Sequence, residues 1–213
     1  MRSIKPADVV LDIGANLGYY TVVAAKLATR GVVHAFEPDP DNFALLRENC
    51  ALNGCTNVVL HNSALASAAG TAPLYLSRNN KGDHRLASTE SGIASIEIVK
   101  QVGDELLQAL PRVDFIKCDT QGAEGEVFAG LLRLIARSVP KPLMLVEFEP
   151  LGLSAMGTPY AELLDRFDNW GYAYHFVYWE CIFPIRRSTL VDLAEYWLEI
   201  GAGANLDLVL VPR

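Results

Sequence analysis

The run Val9-Val10-Leu11-Asp12-Ile13 passes directly into Gly14-Ala15-Asn16-Leu17-Gly18, and helical spacing begins at Tyr19-Tyr20. An apolar strand that ends on glycines and turns into a helix is the first half of a βαβ unit, so it commits the chain to a parallel sheet. A second apolar run, Val32-Val33-His34-Ala35-Phe36, ends in Glu37-Pro38-Asp39, which puts a carboxylate at the tip of the next strand. In open α/β sheets, ligands bind beyond the carboxyl ends of the strands. A glycine turn there lets backbone approach the ligand, and an acid after strand two accepts from ribose hydroxyls. Together the two features describe a nucleoside pocket.

A dinucleotide fingerprint has the form G-x-G-x-x-G, whereas this turn has the form D-x-G-x-N-x-G. Asn16 and Tyr19 stand where glycines would approach a diphosphate and pack helix on strand. NAD is therefore disfavoured. Asp12 would also repel a phosphate at the helix N-terminus that phosphates usually exploit. S-adenosylmethionine suits the charges better. Asp12 attracts its positive amino-acid end indirectly, the amides near Gly14 and Gly18 hold its carboxylate, and Glu37 holds its ribose. Asn16, Tyr19 and Pro38 complete the expected cofactor set. Asn62 and Ser63, in the turn after the third strand, are placed to meet the adenine edge.

With 213 residues, 51% of them hydrophobic, the chain is long enough for one domain with a proper core. The net charge of −7, with Lys and Arg scattered, argues against a nucleic-acid partner. Cys50, Cys55, Cys118 and Cys181 form no C-x-x-C pair and no zinc spacing, so reduced thiols and no metal are expected. The start, Met1-Arg2-Ser3-Ile4-Lys5-Pro6, lacks the apolar core of a signal peptide. No apolar run approaches the ~18 residues of a membrane span, so a cytoplasmic location without a membrane partner is expected.

Strand-like and helical patterns alternate almost throughout, which predicts an α/β, mostly parallel sheet with helices on both faces. Strands are expected near 8–13, 31–36, 57–62, 113–118, 143–148, 172–178 and 206–212, the last one antiparallel. Helices are expected near 18–28, 40–52, 102–109, 123–137, 159–169 and 188–198. The stretch from Leu74 to Val99 breaks the alternation. It reads as a polar insertion, Ser77 to Arg85, between the runs Leu74-Tyr75-Leu76 and Ile96-Glu97-Ile98. Polar excursions at the rim of a scaffold often carry chemistry.

The fourth strand, Val113-Asp114-Phe115-Ile116-Lys117-Cys118, runs into Asp119-Thr120-Gln121-Gly122-Ala123-Glu124-Gly125, a second acid-and-glycine turn opening a helix. Asp119 is expected to face the crevice and hold the methionine amine or a substrate hydroxyl. Asp39 is expected to cap the helix beginning near Pro40. Glu124 is expected to support a helix start, and Glu147 to reach the substrate side, where a buried acid needs a partner or a proton. His34 and His175 lie in strands and are read as packed. His84 is the first choice for a general base, since an unperturbed imidazole titrates at about 6.5. Asp119 and Glu147 are its rivals for that work, and the alternative for the insertion is that it folds over the substrate with Asp83 and Arg85 making binding contacts.

The stretches Val10 to Tyr20, Phe36-Glu37-Pro38 and Ile116 to Glu124 resemble the FkbM-type S-adenosylmethionine-dependent methyltransferases, over most of the chain. The resemblance implies a Rossmann-like class I methyltransferase domain with seven strands ordered 3-2-1-4-5-7-6. It also implies O-methylation of a hydroxyl on a sugar or other natural-product small molecule. By position it implies Asp12, Gly14, Asn16 and Gly18 along the methionine end of the cofactor, Glu37 at its ribose and Asp119 between cofactor and acceptor. Gln121 stands where members often have Glu. The alternatives are N- or carboxyl-methylation, a non-catalytic nucleoside-binding domain and, less favoured, an NAD-linked oxidoreductase. The aromatic-rich stretch Trp170, Tyr172, Tyr174, Phe176, Tyr178 and Trp179 is expected to pack internally, with a homodimer contact as the alternative.

Overall fold

The computed structural model describes residues 4–77, 84–86, 94–179 and 181–213. The chain runs β1 (Val9–Ile13), α1 (Tyr19–Leu27), β2 (Val32–Phe36), α2 (Pro40–Leu52), β3 (Val58–His61), β4 (Ala64–Leu65), β5 (Gly70–Tyr75), β6 (Ser95–Gln101) and α3 (Gly103–Leu106). It continues through β7 (Phe115–Cys118), α4 (Glu124–Ala129), α5 (Leu132–Arg137), β8 (Leu143–Phe148), α6 (Pro150–Ala155), α7 (Tyr160–Asn169), β9 (Tyr172–Tyr178), β10 (Cys181–Pro184), α8 (Arg187–Glu199) and β11 (Leu206–Pro212).

The central strands are apolar on both faces because helices cover both sides of the sheet. Leu11, Ile13, Ile116, Cys118, Met144, Val146 and Phe148 are buried in one cluster with α4, α5 and α7. The helix ends follow local chemistry. Asp39 accepts the Asn42 backbone N–H at 2.8 Å and Pro40 opens α2, as its place before a proline predicts. Leu163, Leu164 and Phe167 form the buried stripe of α7.

The main sheet has the order β3-β2-β1-β7-β8-β11-β9-β10. Counting the first seven by position along the chain gives the expected 3-2-1-4-5-7-6. The last strand, β11, runs antiparallel to both β8 and β9. An eighth strand, β10, pairs antiparallel with β9 at the edge and was not expected. It is short and bounded by Trp179 at φ +55 and by Pro184, so nothing periodic marks it in the sequence.

The two alternating runs that flank the expected polar excursion belong, apart from Leu76, to strands of a second, three-stranded sheet. In it, β5 pairs antiparallel with β6, and β4 runs parallel to β6. Residues 78–83 and 87–93 of that stretch lie outside the described residues. The single helix expected over 123–137 is two, broken at Gly130, where an added Cβ would lie 2.2 Å from the carbonyl oxygen of Ala66. Helix α3 is only four residues long, shorter than expected, and α6 was missed. Within the aromatic stretch, Tyr172 and Tyr174 are buried as expected, while Tyr178 and Trp179 are exposed at the tip.

Candidate active site

A cavity of about 260 Å³ opens at the carboxyl ends of β1, β2 and β7. Of the residues singled out from sequence, Gly14, Asn16, Tyr19, Glu37, Pro38, Ser63, His84 and Asp119 line it, joined by Tyr20, Phe36, Leu86 and Lys117. Gly14 has φ +75, and an added Cβ would sit 1.8 Å from the backbone oxygen of Asp119. The two turns touch through backbone, and only glycine leaves room. Gly14→Ala is expected to cost about 3 kcal/mol or more, combining strain at positive φ with overpacking against backbone. The check is the urea midpoint at an unchanged m-value.

The amides of this turn are already engaged. Those of Gly14 and Ala15 donate to Phe36 O at 3.1 and 2.9 Å, that of Asn16 to Glu37 Oε2 at 2.8 Å, and that of Gly18 to Ala15 O at 2.8 Å. The bonds from Gly14, Ala15 and Asn16 tie the turn to the end of β2, and the Gly18 bond closes the turn on itself, so the amides expected to hold a ligand carboxylate have protein partners. Gly18 does not line the cavity. With φ +90 it caps α1, and a Cβ there would lie 2.5 Å from Leu46 Cδ1, so its role is close packing of α1 on α2. Asn62 does not line the cavity either. Its Nδ2 donates to Glu37 O at 2.8 Å and Pro38 O at 3.1 Å, holding the end of β2 in shape.

Asp12 lies beneath the turn, 1% exposed. Its Oδ2 accepts from Thr21 Oγ1 at 2.5 Å, and its Oδ1 lies 3.6 Å from Lys117 Nζ. Lys117 is also 3.5 Å from Asp119 Oδ2 and donates to Gly14 O at 2.7 Å. Burial works to lower the Lys117 pKa, but Asp12 and Asp119 outweigh it and raise the pKa above its ordinary value. Its ammonium also lies 5.3 Å from the ring centroid of Tyr20.

Glu37 is buried and takes two backbone N–H bonds, from Asn16 at 2.8 Å and Asp39 at 2.9 Å. Burial still pushes its carboxyl up to about 7. Beside it, Phe36 stacks on His61 with centroids 4.3 Å apart, and His61 pairs with His34 at 3.1 Å between ring nitrogens.

Elsewhere at the site one carboxamide joins two acids. Gln121, at φ +56, donates from Nε2 to Asp119 Oδ1 at 3.0 Å and to Glu147 Oε2 at 2.9 Å. Asn205 donates to the second Glu147 oxygen at 2.6 Å. Arg85 pairs with the buried Glu149 at 2.7 Å and donates to Gln121 Oε1 at 3.3 Å. Glu124 supports the turn as expected, accepting from Thr120 N and Oγ1, both at 2.9 Å.

His84 also lines the cavity. Its Nδ1 accepts the Ser77 N–H at 3.0 Å and its Nε2 is 3.9 Å from Asp39 Oδ2. In the neutral ring that bond fixes the proton on Nε2, so neither nitrogen offers a lone pair to a substrate. Asp83, expected beside it, lies outside the described residues. Among the described residues no three His, Cys, Asp or Glu side chains are grouped to hold a metal ion. No helix among them is long and apolar enough to cross a membrane.

A family model described as the methyltransferase FkbM domain matches residues 12–174. The chain belongs to the FkbM methyltransferase family. The hexuronic acid methyltransferase AglP of Haloferax volcanii is 33% identical, over 62% of this chain and 53% of AglP. Methyltransferase sdnD of Sordaria araneosa is 28% identical, over 57% of this chain and 60% of sdnD. The crystal structure of a methyltransferase FkbM from Methylobacillus flagellatus KT matches with a TM-score of 0.57 at 16% identity, over 83% of this chain and 41% of that one. This likeness establishes the class I methyltransferase fold. The chain spans between half and two thirds of the length of the two curated relatives.

Within this FkbM-family cavity, Lys117 and Arg85–Glu149 are the features that sequence reading underweighted. Lysine is almost never buried unless paired, so a Lys inside an otherwise apolar central strand was a usable signal. Its partner is written in the register, because Asp12 lies opposite Lys117 across β1 and β7. Arg85 meeting Glu149 across 64 residues leaves no local trace.

Proposed function

We propose that the chain is an S-adenosylmethionine-dependent methyltransferase that transfers the methyl group to a hydroxyl of a small, sugar-like acceptor. The observation that carries this reading is Glu37, held at the tip of β2 against the D-x-G-x-N-x-G turn and lining the cavity. The residues fit the cofactor. A carboxylate at the end of β2 matches a ribose diol, Phe36 gives an apolar wall for a base, and Asn16 Oδ1 is buried without a hydrogen-bond partner at the cavity wall. Such an orphaned acceptor suits a ligand ammonium or hydroxyl.

When bound, S-adenosylmethionine supplies an activated methyl group on its sulfonium. The protein then mainly positions the acceptor and excludes water. Glu37 orients the ribose, Tyr19 and Tyr20 cover the methionine side, and Asp119 faces the acceptor. The names of the relatives support this reading, one of them acting on a hexuronic acid.

The test is a calorimetric titration with S-adenosylhomocysteine and with NAD, followed by transfer of labelled methyl groups to a panel of methyl hexosides and hexuronides. Micromolar binding of the first ligand alone, with label on a hydroxyl oxygen, is the expected result. Binding of NAD alone would sink the reading, and tight S-adenosylhomocysteine binding without transfer to any hydroxyl, amine or carboxylate would leave a nucleoside-binding domain.

A further inference from the structure

We propose that the carboxyl groups of Asp119 and Glu147, bridged by the Gln121 carboxamide, work as one proton acceptor for the substrate hydroxyl, with Asp119 the catalytic residue and Glu147 its positioning partner. This rests on the methyltransferase reading above. The two acids end adjacent parallel strands, β7 and β8, and converge from there. The Asp119 side chain is 40% exposed toward the cavity, while Glu147 is 6% exposed behind it. Gln121 donates to one oxygen of each, which commits both hydrogens of its amide, while Arg85 occupies its oxygen. Asn205 fixes the remaining Glu147 oxygen. One carboxamide nitrogen thereby joins an oxygen of Asp119 to an oxygen of Glu147.

Two carboxylates so placed cannot both ionise freely, and their protons leave in steps that belong to the pair. Burial, then Asp119, then Glu124 and Glu149 push Glu147 up to about 8. Lys117 on β7 lies against Asp119 and Asp12, Glu124 on α4 and Glu149 beyond β8 add negative charge, and Arg85 pairs with Glu149. Asp207 on β11, opposite Glu147 in register, is itself raised by burial and by Asp119, and Tyr20 on α1 is raised by burial and by Asp207.

An oxygen–carbon bond forms as the carbon–sulfur bond breaks, the electron pair stays on sulfur, and the hydroxyl proton passes to the doubly ionised pair. The shared proton then leaves through exposed Asp119 to solvent. With the Glu147 carboxyl pushed up to about 8, the site is a stronger base than an ordinary carboxylate, which suits the work of deprotonating an alcohol. His84 is not assigned this role, because its Nδ1 already accepts from Ser77 N.

The experiment is a carbon-13 titration of carboxyl-labelled Asp and Glu in the full chain, with and without S-adenosylhomocysteine. One carboxyl is expected to titrate near 8, to vanish in Glu147→Gln and to move at least one unit toward acid in Asp119→Asn. Gln121→Glu, which adds a charge without removing a residue from the pair, is expected to move it upward. Ordinary carboxylate titration of both groups overturns the proposal whatever the acceptor screen gives. Failure of S-adenosylhomocysteine to bind counts against the methyltransferase reading instead. In methyl transfer to a hexoside, kcat is expected to rise with pH through about 8. Glu147→Gln should shift that limb to acid and lower kcat about tenfold or more, and His84→Ala should leave the limb in place. A Glu147→Gln profile identical to wild type overturns the assignment.

Discussion

Lys117→Met is expected to lower the unfolding free energy by about 3–5 kcal/mol, the cost of leaving a buried charge without its partner. Lys117 and Asp12 are 6% and 1% exposed, so neither can recover its hydration when the other is removed. The methionine roughly keeps the volume of the lysine stem, which separates loss of charge from loss of packing. The Gly14 carbonyl also loses its Nζ donor, and with it the tie between the two turns that shape the cavity. The pH dependence follows from the sign of the shift. The Lys117 pKa is raised in the fold, so its stabilisation is complete below the unfolded value of about 10.4 and is lost only as pH climbs through the higher folded value. A urea series at pH 7 therefore reads the whole effect. The double variant Lys117→Met with Asp12→Asn is expected to recover part of the loss, because the orphaned charge is gone while Thr21 Oγ1 still has an oxygen to bond. A single-variant cost below 1 kcal/mol would mean that water reaches Asp12.

The same pair shows what was legible in the sequence. Asp12-x-Gly14 and Lys117-x-Asp119 end neighbouring parallel strands, and each motif could be read alone as a turn. Their pairing depends on which strands adjoin. Strand order 3-2-1-4 supplies that, and order was available only through the resemblance. Period-based reading recovered the central strands because burial on both faces forces continuous apolar runs. It missed α6 because a six-residue helix is too short to display a period, and it fused α4 with α5 because the break at Gly130 answers a backbone contact with Ala66, far away in sequence. At the site, the Glu37 and Asp119 carboxyl groups were visible at strand tips. Gly18 and Asn62 were given ligand roles because glycine and asparagine in a turn look alike whether they face a ligand or shape the backbone beneath it. Gln121 shows the same limit from the other side. It was noted only as the absence of a carboxylate, and its bridging of Asp119 and Glu147 depends on a positive φ that the sequence does not print.

Glu37→Gln is expected to weaken S-adenosylhomocysteine binding about 10–100-fold at pH 8 and to abolish most of its pH dependence, since hydrogen bonds to a charged acceptor are worth about 1.5–3 kcal/mol. In the free protein, burial raises the Glu37 carboxyl to about 7 against the two backbone N–H groups that favour the anion, with Asp39 adding to the rise and Lys117 opposing it. Raised above its unfolded value, this acid contributes stability that is complete below about 4.5 and is lost as pH rises through about 7. A ribose diol reverses the balance. Two hydroxyls donate to the anion, while a protonated carboxyl offers them fewer acceptor positions. The ligand therefore binds the ionised form, and affinity is expected to fall roughly tenfold or more between pH 7.5 and pH 5.5. The unliganded chain becomes less stable over the same rise in pH that makes the ligand bind better, so the ligand-induced rise in Tm should grow steadily from pH 5.5 to 7.5. His84 lies 3.9 Å from Asp39 at the same cavity, and His84→Ala is expected to keep the dependence intact. Calorimetry on wild type and both variants separates the two. A wild-type affinity flat across this range would place the ribose hydroxyls elsewhere and leave Glu37 as a brace for the amides of Asn16 and Asp39.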